Sequence, residues 1–314
     1  METWKRTVYI SLVCVFCTAF GVSQLAPILP LYFHDLGVQT PEAMSLWSGL
    51  ATGATYIIVC LAAPFWGRVA DKKGRKITLI RSSFGMALCN ILIAFQTTPE
   101  GVVLIRLVQG LVSGFYSASI TLIASESPIE RTGWALGLLA SANLAGSLIG
   151  PLLGGYIADT VGIRNDFIIV GTLMGLAGVL ATIFIHENYV PQPNPEKLSI
   201  RKLKEQIPEF NSIVALCVAS FIYAICIMSL QPVISVYIKG IVPSDTENLA
   251  FIAGAVFSAM GIAQLMSSSP LGKLVDKIGP RKVLVVSLIY VGILNIPQAY
   301  VSDVYQLALI RFLQ

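Results

Sequence analysis

Charged side chains are scarce in this chain. Asp, Glu, Lys and Arg make up 12% of its residues, against about a quarter in a soluble globular domain. With 55% hydrophobic residues, there is too little polar surface to clothe a soluble body, and hydrocarbon is the expected solvent. Histidine is nearly missing. The two present, His34 and His186, stand alone at the ends of apolar segments, so neither a zinc site nor a Ser/His/Asp arrangement can be assembled from local pairs. The six cysteines, Cys14, Cys17, Cys60, Cys89, Cys217 and Cys226, lie in apolar segments without chelating spacing and are expected to pack. Catalysis is not expected, nor is a resident cofactor or metal. The first apolar run is too long for a removed leader and lacks a small-residue cleavage site, so it is read as a retained helix.

What the chain has instead is long apolar runs. They fall at residues 7–33, 44–66, 77–96, 101–124, 132–157, 164–185, 210–238, 248–271 and 282–301, and a tenth begins near 304. Each of the nine suffices to cross about 30 Å of hydrocarbon. Backbone in lipid must satisfy its own hydrogen bonds, which makes the spans helices and the fold class an all-α polytopic membrane protein. Seventeen of the 21 Lys and Arg precede span one or follow spans two, four, six and eight, whereas the opposite loops hold only Arg164 and Lys239. Positive loops stay on the cytoplasmic side, so the N terminus is expected there. The net charge of +4 is then a topology signal, and no nucleic-acid partner is implied.

The chain also repeats itself at an offset of 205 residues. Pro27 and Tyr32 return as Pro232 and Tyr237, and Gly67, Asp71 and Gly74 return as Gly272, Asp276 and Gly279. Leu104, Ile105 and Arg106 return as Leu309, Ile310 and Arg311, and Gln109 as Gln314, the last residue. Equivalent units at a fixed offset suggest a carrier that rocks one half against the other. The expected organisation is a six-helix half at 1–185, a cytoplasmic linker at 186–209 marked by Pro191, Pro193, Pro195 and Pro208, and a second half at 210–314. The linker's basic residues are suited to lie on membrane lipid. A complete second copy would run on for about ninety further residues, judged from the first. The second half is therefore expected to be truncated in span ten and the sequence to be part of a longer one.

Four patterns carry chemistry. Gly67, Asp71, Gly74, Arg75 and Lys76 form the turn after span two, and Gly272, Asp276, Gly279 and Arg281 repeat it after span eight. Glycine allows another helix to approach, and an Asp beside it can cap that helix's N terminus, where free N–H groups attract an anion. A merely positive loop would not need Gly, Asp and Gly at fixed spacing. Arg106 lies inside span four with Gln109 and Gly110. A lone arginine there either faces a wet cavity or snorkels to the outer end of its helix. In span five, Gly146, Gly150, Pro151, Gly154 and Gly155 form a groove of small residues that serves equally as a packing seam. Gly21, Pro27 and Pro30 in span one allow a kink.

These residues together resemble the major facilitator superfamily, and within it the twelve-span drug:proton antiporters. The resemblance covers the whole chain. It implies the major facilitator fold and alternating access in a cytoplasmic (inner) membrane. It also implies export of hydrophobic or amphipathic compounds in exchange for protons, a role in proton coupling for Arg106 and Gln109, and antiport for the span-five motif. By the pseudo-symmetry of the repeats, Asp276 should meet the start of span five near residues 132–134. One departure stands out: no Asp or Glu is seen near mid-membrane, leaving Asp35, Glu126 or a residue beyond 314 as the proton carrier. Gln24, Tyr56, Phe115, Asn143, Phe221, Tyr223 and Met228 are candidates for a substrate cavity, since burial of greasy solutes needs few directional groups. The chain is expected to act as a monomer. A facilitator or symporter for sugars or other metabolites is the alternative, and a membrane scaffold would leave the loop motifs idle.

Overall fold

The computed structural model describes residues 3–187, 210–243 and 248–314. Span one is made of α1 (Thr3–Ser23) and α2 (Leu25–Asp35), span two is α3 (Pro41–Lys73), and span three is α4 (Arg75–Ala94). Span four is made of α5 (Pro99–Val112) and α6 (Phe115–Glu126), followed by α7 (Thr132–Val161) and α8 (Ile163–Phe184) as spans five and six. After residue 209 come α9 (Phe210–Ile241), α10 (Leu249–Ile278), α11 (Pro280–Gln298) and α12 (Val304–Leu313), and the linker expected at 186–209 lies almost wholly outside the described residues. Among the described residues nine stretches are long and apolar enough to cross a membrane, and they coincide with the nine runs read from the sequence. Large apolar side chains such as Leu61, Ile289 and Leu309 face outward, as hydrocarbon requires, while Tyr32, Phe33, Phe167 and Met174 are fully buried between helices.

Helix starts are set by short polar side chains and proline. Thr40 accepts from Ala43 N before Pro41, and Thr98 accepts from Gly101 N before Pro99. Two spans are broken, the first where Gly21, Pro27 and Pro30 allow a kink and the second where no interruption was expected. Span one is interrupted at Gln24, and span four at Ser113 and Gly114, the latter in a left-handed conformation with φ of 116°. The second break frees carbonyls at the end of α5. Arg81 donates to Leu111 O at 3.0 Å and Ser113 O at 2.9 Å, and Trp66 Nε1 donates to Leu111 O at 2.7 Å. The Arg81 guanidinium lies 3.5 Å from the Trp66 ring centroid. Arg81, one of the seventeen basic residues assigned above to the cytoplasmic side, sits inside α4 and serves a broken helix.

The 205-residue offset extends to individual contacts. Tyr32 donates to Gln96 O at 3.1 Å, and Tyr237 donates to Val301 O at 2.5 Å. Thr98 caps α5 and Asp303 caps α12. Arg106 donates to Gln109 Oε1 at 2.7 Å, and Arg311 donates to Gln314 Oε1 at 3.3 Å.

Gly74 and Gly279 adopt φ of 91° and 88° with ψ of 159° and 149°. Gly162, between α7 and α8, does the same at 91° and 148°. Residues with a Cβ are strained there, by about 1–3 kcal/mol. Gly162→Ala should therefore lower the thermal midpoint of the purified protein even though a Cβ at this position meets nothing within 4 Å. An unchanged midpoint would mean the turn tolerates a side chain.

Candidate functional site

A cavity of about 660 Å³ opens among the central spans. Tyr56, Arg106, Gln109, Phe115 and Asn143 line it from the first half, and Gln231 and Met260 from the second. Arg106 is 6% exposed, which decides against snorkelling. Its side chain is pinned by Gln109, and its carbonyl accepts from Thr55 Oγ1 at 3.0 Å. A fixed positive charge thus borders a chamber whose other lining residues are uncharged.

The span-five glycines explain how the chamber is walled. A Cβ at Gly146, Gly150 or Gly154 would run into Phe16, Phe20, Ser23 or Gln24 of span one. The same helix turns its other face to α10, where a Cβ at Gly155 would strike Ala250 O and one at Gly254 would strike Pro151 O. Ser258 donates to Leu148 O at 2.7 Å along this contact. At its far end the Asp159 carboxylate accepts from Ala250 N at 3.1 Å and Phe251 N at 2.7 Å, capping α10. The two halves are therefore joined tightly at the face opposite the basic loops. The chamber lies between that closure and the basic face.

Asp159 and Gly162 form a third Asp-x-x-Gly, matching Asp71 with Gly74 and Asp276 with Gly279. Asp159 lies near the C-terminal end of α7. Its copy falls on the opposite face, off the 205-residue offset, and so escaped notice. The cap it forms is the interaction expected of Asp276. The Asp276 side chain lies outside the described residues, as does the contact expected with residues 132–134, while Gly279 has a positive φ of 88° and Arg281 is exposed.

In the first loop, Gly74 backs onto Glu187. The Glu187 carboxylate accepts from Arg75 N and Lys76 N, each at 2.8 Å, and Lys76 Nζ donates to Thr182 O at 2.8 Å. The first residues after span six thereby cap the start of span three. Asp71 is exposed, and among the described residues nothing lies within 4 Å of where a Cβ at Gly67 would stand. Glu187→Ala removes a helix cap worth about 1 kcal/mol. Faster proteolysis at residues 72–76 is the expected readout, with cleavage at the wild-type rate as the contrary result.

Several sequence candidates stand elsewhere. Gln24 is fully buried and turned away from the cavity. Phe221 is 66% exposed and Tyr223 is also exposed, because they were chosen by residue type rather than by helix face. Ile227, Gln231 and Ile234, spaced as one face of α9, are the ones turned inward, and Met228 lies beside that face without lining the large cavity. Asp35 is exposed at the end of α2 beside His34 at 3.9 Å, and Glu126 ends α6 at the basic face. Neither lines the cavity. A buried acid the sequence reading missed, Asp166, lies in the first turn of α8.

Comparison with known proteins agrees on the kind of molecule. The family described as Major Facilitator Superfamily matches residues 11–240 and 216–314. Multidrug resistance protein MdtG of Salmonella typhimurium is 38% identical over 310 residues, covering 99% of this chain and 76% of that protein. The MdtG of Dickeya zeae is 39% identical with the same coverage. Among solved structures, a nucleoside transporter, NupG (D323A mutant), aligns with a TM-score of 0.73 at 13% identity over 99% of this chain and 79% of its own. A D-xylose-proton symporter aligns at 0.68 with 16% identity over 99% and 78%. At such identities these two carry the fold alone.

Proposed function

The chain belongs to the major facilitator superfamily, and from that premise we propose that it is a secondary transporter that exports hydrophobic and amphipathic compounds in exchange for protons. The observation that carries the reading is the chamber lined by Arg106 and Gln109, closed at one face by the α7–α10 seam. Most of its exposed wall area is apolar, and hydroxyl and amide side chains such as Tyr56, Asn143 and Gln231 are spread through it, which suits amphipathic solutes of varied shape. The relatives named above carry multidrug resistance in their printed names, which supports the same substrate class.

The moving units are residues 1–185 and 210–314, joined by 186–209. Rocking them apart at the α7–α10 seam opens the face now closed, and the basic face then closes around the loops after spans two and eight. The distribution of Lys and Arg supports an N terminus on the cytoplasmic side, and the family's bacterial relatives support an inner membrane. Arg106 and Gln109 bias proton release, and the chain acts as a monomer in lipid. Cells expressing it should extrude a fluorescent lipophilic cation such as ethidium, and an uncoupler should stop them. Extrusion that continues after the uncoupler would favour an energy-independent facilitator.

A further inference from the structure

One carboxyl group of the first half is buried without a counter-charge. Asp166 is 0% exposed. Its Oδ2 accepts from Gln24 Nε2 at 3.0 Å, while its Oδ1 is buried without a partner. Gln24, across the same contact, is also 0% exposed, and its Oε1 is likewise buried and unpartnered. Among the described residues no Lys, Arg or His lies within ion-pair distance of Asp166.

The groups around the pair are apolar or committed elsewhere. From α2, Tyr32 sets its ring edge-on to Phe167 and donates its hydroxyl to Ile93 O and Gln96 O. From the start of α8, Arg164 reaches Gln96 O at 3.4 Å. From α7, Asp159 is engaged by α10, and Gly154 offers bare backbone against the Gln24 side chain. Along α4 and α1 the buried titratable groups are the thiols Cys89, Cys14 and Cys17, while the cations Arg75, Lys76 and Arg81 of α4 and Lys5 and Arg6 of α1 stand toward the basic ends of those helices.

The two residues joined by this hydrogen bond carry one unmatched acceptor oxygen each, and one added hydrogen would give the pair the donor it lacks. A proton on Asp166 Oδ1 supplies a donor for Gln24 Oε1 and closes a cyclic acid–amide pair in which each polar atom is matched. The same proton removes a charge that is costly in a buried apolar setting. The ionised carboxylate leaves Asp166 Oδ1 and Gln24 Oε1 unmatched. We propose that Asp166, paired with Gln24, is the proton-binding site that couples transport to proton entry. The proposal rests on the proton-antiport reading.

Position supplies the route. Asp166 lies in the first turn of α8 near the face that is now closed, so opening there brings it to water and lets it take a proton. Gln24 occupies the break in span one, and its neighbours Ser23 and Leu25 line the cavity. A solute lodged against that break draws Gln24 from Asp166. The Oδ1–H bond then breaks, the proton passes to water on the basic side, and the carboxylate keeps the electron pair. Gln24 is thus a positioning residue that reports cavity occupancy to the acid.

The test adds tetraphenylphosphonium to weakly buffered, detergent-solubilised protein and reads bound cation and released proton together. Wild type should release close to one proton per cation bound. Asp166→Asn should bind the cation and release none, and Asp166→Glu should recover release. If the wild type binds without releasing a proton, the antiport reading falls, and this assignment with it. If the wild type releases and Asp166→Asn releases equally, only the assignment falls. Should Asp166→Asn fail to fold, Gln24→Leu decides by infrared spectroscopy. The carbonyl band of a protonated carboxyl should shift when the amide is removed, and an unshifted band would overturn the pairing.

Discussion

Asp159→Ala is expected to move the conformational equilibrium of this chain by about 10- to 100-fold toward states open at the face opposite the basic loops. The carboxylate holds the first turn of α10 through Ala250 N and Phe251 N. A hydrogen bond to a charged group is worth about 1.5–3 kcal/mol, and each 1.4 kcal/mol is tenfold in an equilibrium. The rest of the seam, Gly155 on Ala250 and Gly254 on Pro151, is packing that stays intact, so the variant unlatches the closure without destroying it. Spin labels at positions 39 and 243, in the loops of that face, read the change. The variant should populate longer distances than wild type, and Asp159→Asn, which keeps an acceptor, should fall between them. Identical distance distributions would show that the cap does not hold the face closed.

Arg106→Ala should reduce proton-driven efflux by about 5- to 150-fold, the usual span of a coupling free energy between two sites. Binding of an apolar solute should survive, because the walls of the chamber remain. Arg106 is pinned by Gln109 and held among buried groups, so its charge is fixed rather than flexible. Arg106→Lys keeps the charge but loses the planar fork that meets Gln109, and partial activity is the expected outcome. Efflux by Arg106→Ala at the wild-type rate would remove the arginine from the coupling scheme.

Much of this architecture was legible because it rests on periodic or repeated features. Hydropathy located the spans, and the offset of 205 residues predicted equivalences that reappear as the Tyr32–Gln96 and Tyr237–Val301 contacts. Features that depend on a partner from another helix were less legible. Asp166 reads in sequence as one more residue at a span end, and its burial arises only because Gln24 meets it from across the bundle. The break at Gly114 is stable because Arg81 and Trp66 take up the freed carbonyls, and those residues lie on two other spans. The side chains of α9 were chosen by chemical type, whereas the helix face, set by Ile227, Gln231 and Ile234, decides which of them looks inward.

The account stands on a solute path through the Arg106 chamber that is driven by protons. Liposomes holding the purified chain, acidic inside and alkaline outside, test it directly. Outward proton flow should concentrate ethidium in the lumen above its external level, and a protonophore should dissipate the store. Equal concentrations on both sides with the gradient intact would contradict the account.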